Sequence, residues 1–143
     1  MAPRVAFDAT YGAREHLTME ALKGSVVLVD FWDTGCEPCA RELPKVEQLY
    51  ERYAAAGFRV IAVSQDEPDA VDEIPRFVER YGLTFPVVWD EGHRLKERFG
   101  PGDMPSAYVI DRRGVVRFEH IGYVMGEELE LEREIQKLVA EKD

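Results

Sequence analysis

The sequence predicts an α/β fold: a central mixed β-sheet flanked by helices on both faces. Three features carry this. Val26-Val27-Leu28-Val29 is an unbroken apolar run, mostly β-branched, as in a strand covered on both sides. Such runs alternate along the chain with stretches whose apolar residues recur every three or four positions. Near the C-terminal end two strands flank Asp111-Arg112-Arg113-Gly114, a hairpin turn that sets an antiparallel edge on the sheet. At 143 residues the chain is expected to form one domain over 1–143, long enough for a substantial core.

The elements follow in order. Residues 4–9 read as a short edge strand, followed by a turn at Tyr11-Gly12. Leu17–Leu22 predicts a helical turn, capped by Thr18 and closed by Gly24. Strand 26–31 leads to Cys36-Glu37-Pro38-Cys39, where a helix can start, because a proline in a first turn lacks an N–H that is not needed there. That helix runs to about Ala56, with Leu43, Val46, Tyr50 and Tyr53 on one apolar face, Gly57 beyond its end, and Pro44 expected to kink it. Phe58–Ser64 is the next strand. Beyond the loop 65–68, Ala70, Ile74, Phe77, Val78 and Tyr81 make a second amphipathic face, with Pro75 expected to break it and Gly82 to end it. Thr84–Trp89 is a short strand that Pro86 marks as an edge or a strand start. His93–Phe99 is a short helix, and Met104-Pro105 leads from a loop into strand Ser106–Ile110. Val115–Ile121 pairs back on it, and residues 126–141 form a last helix with Leu131, Ile135 and Leu138 inward. No internal repeat, low-complexity segment or linker interrupts this order.

Composition narrows the partners. The net charge of −10 argues against a phosphate-backbone partner, so no nucleic acid is expected, and reads as a well-solvated acidic surface. No apolar run approaches the ~20 residues of a membrane span, and residues 1–15 lack the apolar core of a signal peptide. The chain as given is expected to be soluble and monomeric, with an upstream leader or anchor left open.

The two cysteines stand three apart. A structural disulfide framework needs more pairs, a structural zinc site needs four ligands, and His16, His93 and His120 show no metal spacing. Redox chemistry is the favoured reading of the pair, ahead of metal binding or an incidental pair. A helix N-terminus at Cys36 would stabilise a thiolate through its free N–H groups and macrodipole. A thiolate with a second thiol three residues on can attack a disulfide and be released by its neighbour. Asp30 interrupts an otherwise apolar strand, where an ionised carboxylate is costly unless it serves a purpose. It reads either as a general base with a pKa raised by burial or as a residue reaching water at a sheet edge.

The motifs around this strand extend the reading to a family. Val29-Asp30-Phe31-Trp32-Asp33-Thr34-Gly35-Cys36-Glu37-Pro38-Cys39 resembles the active-site strand and turn of thioredoxins. The wider pattern resembles the TlpA/ResA-like thiol-disulfide oxidoreductases of the thioredoxin superfamily. It includes Ala2-Pro3, Leu22-Lys23-Gly24, Glu42-Leu43-Pro44 after the cysteines, Tyr81–Val87, and Pro105 ahead of Ile110-Asp111 and Gly114. This resemblance implies a thioredoxin fold with the N-terminal extension and strand-helix insertion of that branch. It implies Cys36 as exposed nucleophile, Cys39 as buried resolving thiol, and Asp30 as the base that deprotonates Cys39. Pro105 is implied to be a cis-proline that brings the Met104 backbone beside Cys36, where an extended substrate could pair; the plain alternative is a strand-start proline. Glu42 matches the family's active-site glutamate, or is an exposed helical charge. Trp32 matches a tryptophan near the disulfide, or is plain core. Glu37 and Pro38 complete the expected substrate-facing surface with Trp32, Met104 and Pro105. Two departures stand out: many of this branch have asparagine at the position of Asp30, and many have a second tryptophan where this chain has Gly35.

The expected function is reduction of protein disulfides by the Cys36/Cys39 couple, with no cofactor or metal. The resemblance implies an extracytoplasmic setting and electrons from a membrane thiol reductase; a cytoplasmic one stays open. Two rivals remain. A peroxiredoxin-type peroxidase shares the Ala-Pro and Leu-Lys-Gly entry, but Thr34 lacks the required spacing and proline. A copper-binding module would need His93 or His120 near Cys36.

Overall fold

A computed structural model describes residues 1–141. β1 (Ala6–Ala9) and β3 (Glu15–Thr18) form a two-stranded antiparallel sheet, with β2 (Tyr11–Gly12) between them in sequence. The structure corrects two expectations here. Leu17 and Thr18 end a strand before the expected helical turn opens, because Phe7 pairs with Leu17 and Ala6 with Thr18; the turn itself forms, with the Leu22 N–H donating to the Thr18 carbonyl at 3.1 Å. The Thr18 hydroxyl also accepts the Ala21 N–H, as a cap would. Tyr11-Gly12 is a short strand of the main sheet, where Gly12 (φ +62°) lets the backbone pass so close to the Phe85 carbonyl that a Cβ would collide with it.

β4 (Val26–Trp32) is followed by α1 (Glu37–Tyr53), β5 (Phe58–Ser64), α2 (Glu73–Tyr81), β6 (Pro86–Trp89), α3 (Arg94–Phe99), β7 (Ser106–Ile110), β8 (Val116–Ile121) and α4 (Glu127–Ala140). α1 stays one helix through Pro44. Ala70 lies outside α2, in a short 3-10 turn at Pro68–Ala70. Pro75 does not break α2: it is the third residue of the helix, where no intrahelical N–H bond is lost.

The main sheet has the order β2-β6-β5-β4-β7-β8, with β4 parallel to β5 and antiparallel to β7. All seven residues of β4 are buried, as its apolar run requires. Side chains alternate across it. Val26, Leu28 and Trp32 pack against α1, α2 and α4, while Val27, Val29 and Phe31 pack with Phe7, Tyr108 and Leu95 on the face covered by the N-terminal hairpin and α3. Asp30 therefore points, with Leu28 and Trp32, into the face under α1.

Candidate active site

Cys36 is the N-cap of α1: its backbone is extended, and its Sγ accepts the Cys39 N–H at 3.2 Å. Its sulfur thus sits among the free N–H groups of a helix start, where negative charge is favoured. Cys39 is fully buried and Cys36 half-buried; the two are joined in a disulfide, with Cα atoms 5.2 Å apart. Glu37 is exposed, and Pro38 occupies the first turn.

The turn before Cys36 is held from the end of β5. Asp66, buried, accepts the Thr34 N–H on both oxygens (3.1 and 3.2 Å) and the Thr34 hydroxyl at 2.6 Å, while Ser64 donates its hydroxyl to the same carboxylate at 2.5 Å. The Trp89 indole donates to the Asp66 carbonyl. Gly35 N–H donates to the Asp33 side chain and Cys36 N–H to the Asp33 carbonyl. Sequence reasoning missed Asp66. Ser64-x-Asp66 has local turn chemistry, but nothing in the chain links it to a threonine 32 residues away.

Asp30 is fully buried in the central strand, which removes the alternative of a residue reaching water. Glu42 is only 5% exposed, so it is no solvated helical charge. It lies one turn beyond Cys39 on the buried face of α1 that also carries Leu43 and Val46. Asp30 and Glu42 are buried neighbours, close enough for each carboxyl group to shift the pKa of the other. No other group among the described residues donates to either Asp30 oxygen or to Glu42 Oε1. Burial pushes the Asp30 carboxyl up to about 7, with the Glu42 hydrogen bond pulling the other way. Burial first, and then the charge of Asp30, push Glu42 well above the usual carboxylate range. Two adjacent carboxyl groups in an apolar core resist ionising together, so burial and mutual repulsion favour a proton held within the pair. That proton also supplies the donor which the orphaned oxygens lack.

Met104-Pro105 is a cis peptide. Pro105 is buried, its carbonyl accepts the Gly122 N–H at 2.7 Å, and half-buried Met104 packs against the same core cluster as Cys36. A cleft of about 420 Å³ beside the turn is walled by Met104, Thr34, Gly35, Asp33, Asp66 and Glu67, among others. Trp32 differs from its expected place on the substrate-facing surface. It is fully buried and packs at a tilt against Phe77, with ring centroids 4.6 Å apart, so it supports the site from beneath. His93 bonds Gln65 and Glu67, and His120 bonds Glu134. Among the described residues no group of three His, Cys, Asp or Glu could hold a metal ion.

A central strand that runs into a helix-capping CxxC disulfide, faced by a cis-proline loop, defines a thioredoxin-fold protein with a dithiol/disulfide site. By its match over residues 1–119, the chain belongs to the AhpC/TSA family. It is similar to the thiol-disulfide oxidoreductase ResA of Bacillus thuringiensis, with 38% identity over 114 residues, covering 80% of this chain and 65% of that protein. ResA of Halalkalibacterium halodurans is 38% identical over 108 residues, covering 76% of this chain and 60% of that one. The chain thus spans about 65% or less of the length of these relatives. A Chlorobium tepidum structure described as a thiol:disulfide interchange protein DsbE superposes with a TM-score of 0.87 at 29% identity, over 97% of this chain and 95% of that one. StoA from Bacillus subtilis shares the fold, with a TM-score of 0.73 at 21% identity over 93% and 98% of the two chains.

Proposed function

We propose that this protein is a thiol–disulfide oxidoreductase that reduces disulfides in protein substrates. The observation that carries the reading is the position of the two sulfurs: Cys36 caps α1 at the surface, and Cys39 is buried one turn inward, on the face that holds the Asp30–Glu42 pair. The resemblance to ResA supports the same reaction class.

In the reduced protein the Cys36 thiolate attacks one sulfur of the substrate disulfide. A Cys36–substrate bond forms as the substrate S–S bond breaks, and the first substrate thiolate leaves with the electron pair. Cys39 then gives its thiol proton to the singly protonated Asp30–Glu42 pair. Its sulfur attacks Cys36 Sγ, the intramolecular disulfide forms, and the second substrate thiolate departs. Two electrons have moved from the protein to the substrate, and a thiol donor returns them. Met104 and Pro105 offer the backbone edge along which an extended substrate segment pairs, with Glu37 and Pro38 on the opposite rim. The protein works as a monomer without a bound cofactor. A membrane thiol reductase as donor and an extracytoplasmic setting are what the family resemblance implies; among the described residues no helix is long and apolar enough to cross a membrane.

Trapping tests the roles. Cys36 in the reduced protein is expected to be alkylated much faster than Cys39, Cys36→Ser to abolish insulin reduction, and Cys39→Ser to accumulate mixed disulfides. Faster alkylation of Cys39 would reverse the assignment, and peroxide turnover without disulfide reduction would replace it with the peroxidase reading.

The direction of electron flow follows from charge. The helix start favours the Cys36 thiolate, whereas Asp33, Glu37 and the buried carboxyl pair oppose it, and a destabilised thiolate favours the disulfide. The potential is therefore expected nearer the thioredoxin value, about −270 mV, than the strongly oxidising end, about −120 mV. Equilibration in a dithiothreitol buffer series measures it, and a midpoint above about −180 mV would turn the protein into a disulfide donor.

A further inference from the structure

We propose that His120 is the solvent-side member of a proton path that serves Asp30 and Glu42, and so a positioning residue for deprotonation of Cys39. This rests on the disulfide-reductase reading above. In that reaction the Cys39 proton passes to a carboxyl pair sealed in the core; re-reduction, which expels Cys39 as a thiolate, draws a proton back, and a route to solvent lets the pair exchange protons without waiting for that step.

The cavity beside Glu42 offers a way out. Glu42 carries an orphaned Oε1 and lines a small cavity between α1, β8 and the start of α4, with room for about one water molecule. Val46, Ala107 and Leu131 make its apolar walls. The polar groups on it are His120, Tyr123, Glu127 and Glu128. Tyr123 is occupied, donating its hydroxyl to Glu128 at 2.6 Å. His120 Nε2 lies 2.7 Å from Glu134 Oε1, and its Nδ1 lies 3.9 Å from Glu127 Oε2. Facing a carboxylate, Nε2 carries the ring hydrogen, which leaves the Nδ1 lone pair as the proton acceptor. Burial relaxes along the series. Asp30 is fully enclosed, Glu42 nearly so, the His120 side chain is 14% exposed and that of Glu127 30%.

Every element packed around the path contributes to its charge. α1 supplies Glu42 and, toward Glu128, exposed Lys45; β4 supplies Asp30; α4 supplies Glu127, Glu128 and Glu134; β7 supplies only Ala107. Asp30 and Glu127 raise the pKa of Glu42 by their charge, and His120, once it has taken up a proton, lowers it. Among the described residues His120 is the single basic group on the cavity wall, and an imidazole can accept a proton on one nitrogen and release it from the other. No bond other than those to hydrogen changes in this step: one proton passes from the carboxyl pair through His120 to buffer.

The test measures insulin reduction by the full chain, driven by dithiothreitol, across pH 6–9 and across imidazole concentrations. His120→Ala is expected to lower turnover about tenfold near neutral pH, less than the ~10²-fold loss of the general base itself, and added imidazole should restore most of it. His120→Gln keeps a donor to Glu134 and the fold, yet should show the same loss and a displaced pH profile, while the rate of Cys36 alkylation stays unchanged. Wild-type turnover and pH profile in both variants, or a loss that imidazole leaves untouched, would overturn the proposal. A wild-type protein that fails to reduce insulin, or an Asp30→Asn variant with full turnover, would instead overturn the reading on which it rests.

Discussion

Asp66 and Asp30 are both buried carboxyl groups beside the CxxC turn, and their surroundings are opposite. Asp66 receives the Thr34 N–H, the Thr34 hydroxyl and the Ser64 hydroxyl. Asp30 receives nothing from the described residues except its contact with a second carboxyl group, Glu42. A buried carboxylate with a full set of donors acts as a strut, because each hydrogen bond offsets part of the lost hydration. One without donors holds a proton instead and can exchange it. The difference separates the group that shapes the turn from the group we propose as the base under it, although both are aspartates near the C-terminal ends of neighbouring parallel strands.

Asp66→Ala should break the strut. It leaves the Thr34 and Ser64 donors without an acceptor, which costs roughly 3–5 kcal/mol, read as a lower urea midpoint at unchanged slope. Turnover should fall with the loosened turn while its pH profile keeps its shape. A displaced profile would mean that Asp66 also takes part in proton transfer.

Asp30→Asn should do the reverse. Turnover near neutral pH is expected to fall about 10²-fold, which equals about 2.7 kcal/mol of barrier, while stability rises. The sign follows from linkage. A carboxyl group whose folded pKa is raised contributes stability that is fully present below its ordinary value, 3.8, and lost as pH rises through about 7. The wild type should therefore weaken across that window relative to Asp30→Asn, by roughly 2–4 kcal/mol at pH 8. Parallel stability curves for the two proteins between pH 4 and pH 8 would refute a raised Asp30 pKa.

Glu37→Gln should have the smallest effect. Glu37 is exposed in the first turn of α1, and an exposed charge near the helix start contributes only about 0.3–1 kcal/mol to its surroundings. Loss of its negative charge should speed Cys36 alkylation by less than fivefold and leave stability within about 0.5 kcal/mol. A larger effect on alkylation would make Glu37 a main determinant of Cys36 reactivity.

Much of the scaffold was legible in the chain. The apolar run of β4, the proline in the first turn of α1 and the glycines beyond α1 and α2 act within a few residues, so local pattern reveals them. Motif resemblance pointed to the CxxC, the cis-proline loop and a role for Asp30. Less legible were the β1–β3 hairpin, whose partners are set by burial of Phe7, and the harmless position of Pro75, which depends on where α2 begins. Trp32 could have been a packing platform near the disulfide or plain core by its motif alone; the packing of α2 over β4 buries it in the core.

The sequence by itself determined that a dithiol stands at a helix start beside a strand bearing a carboxyl group. Only the tertiary structure decided what that carboxyl group faces. Glu42 is brought onto Asp30 by the packing of α1 over β4, His120 is brought to the far side of Glu42 by the β7–β8 hairpin under α4, and Asp66 is brought to Thr34 by the parallel pairing of β5 with β4. The physical reason is range. Propensity, capping and periodicity act over one or two turns of chain, whereas the protonation of a buried group is set by whichever charges and donors other elements place within a few ångströms of it.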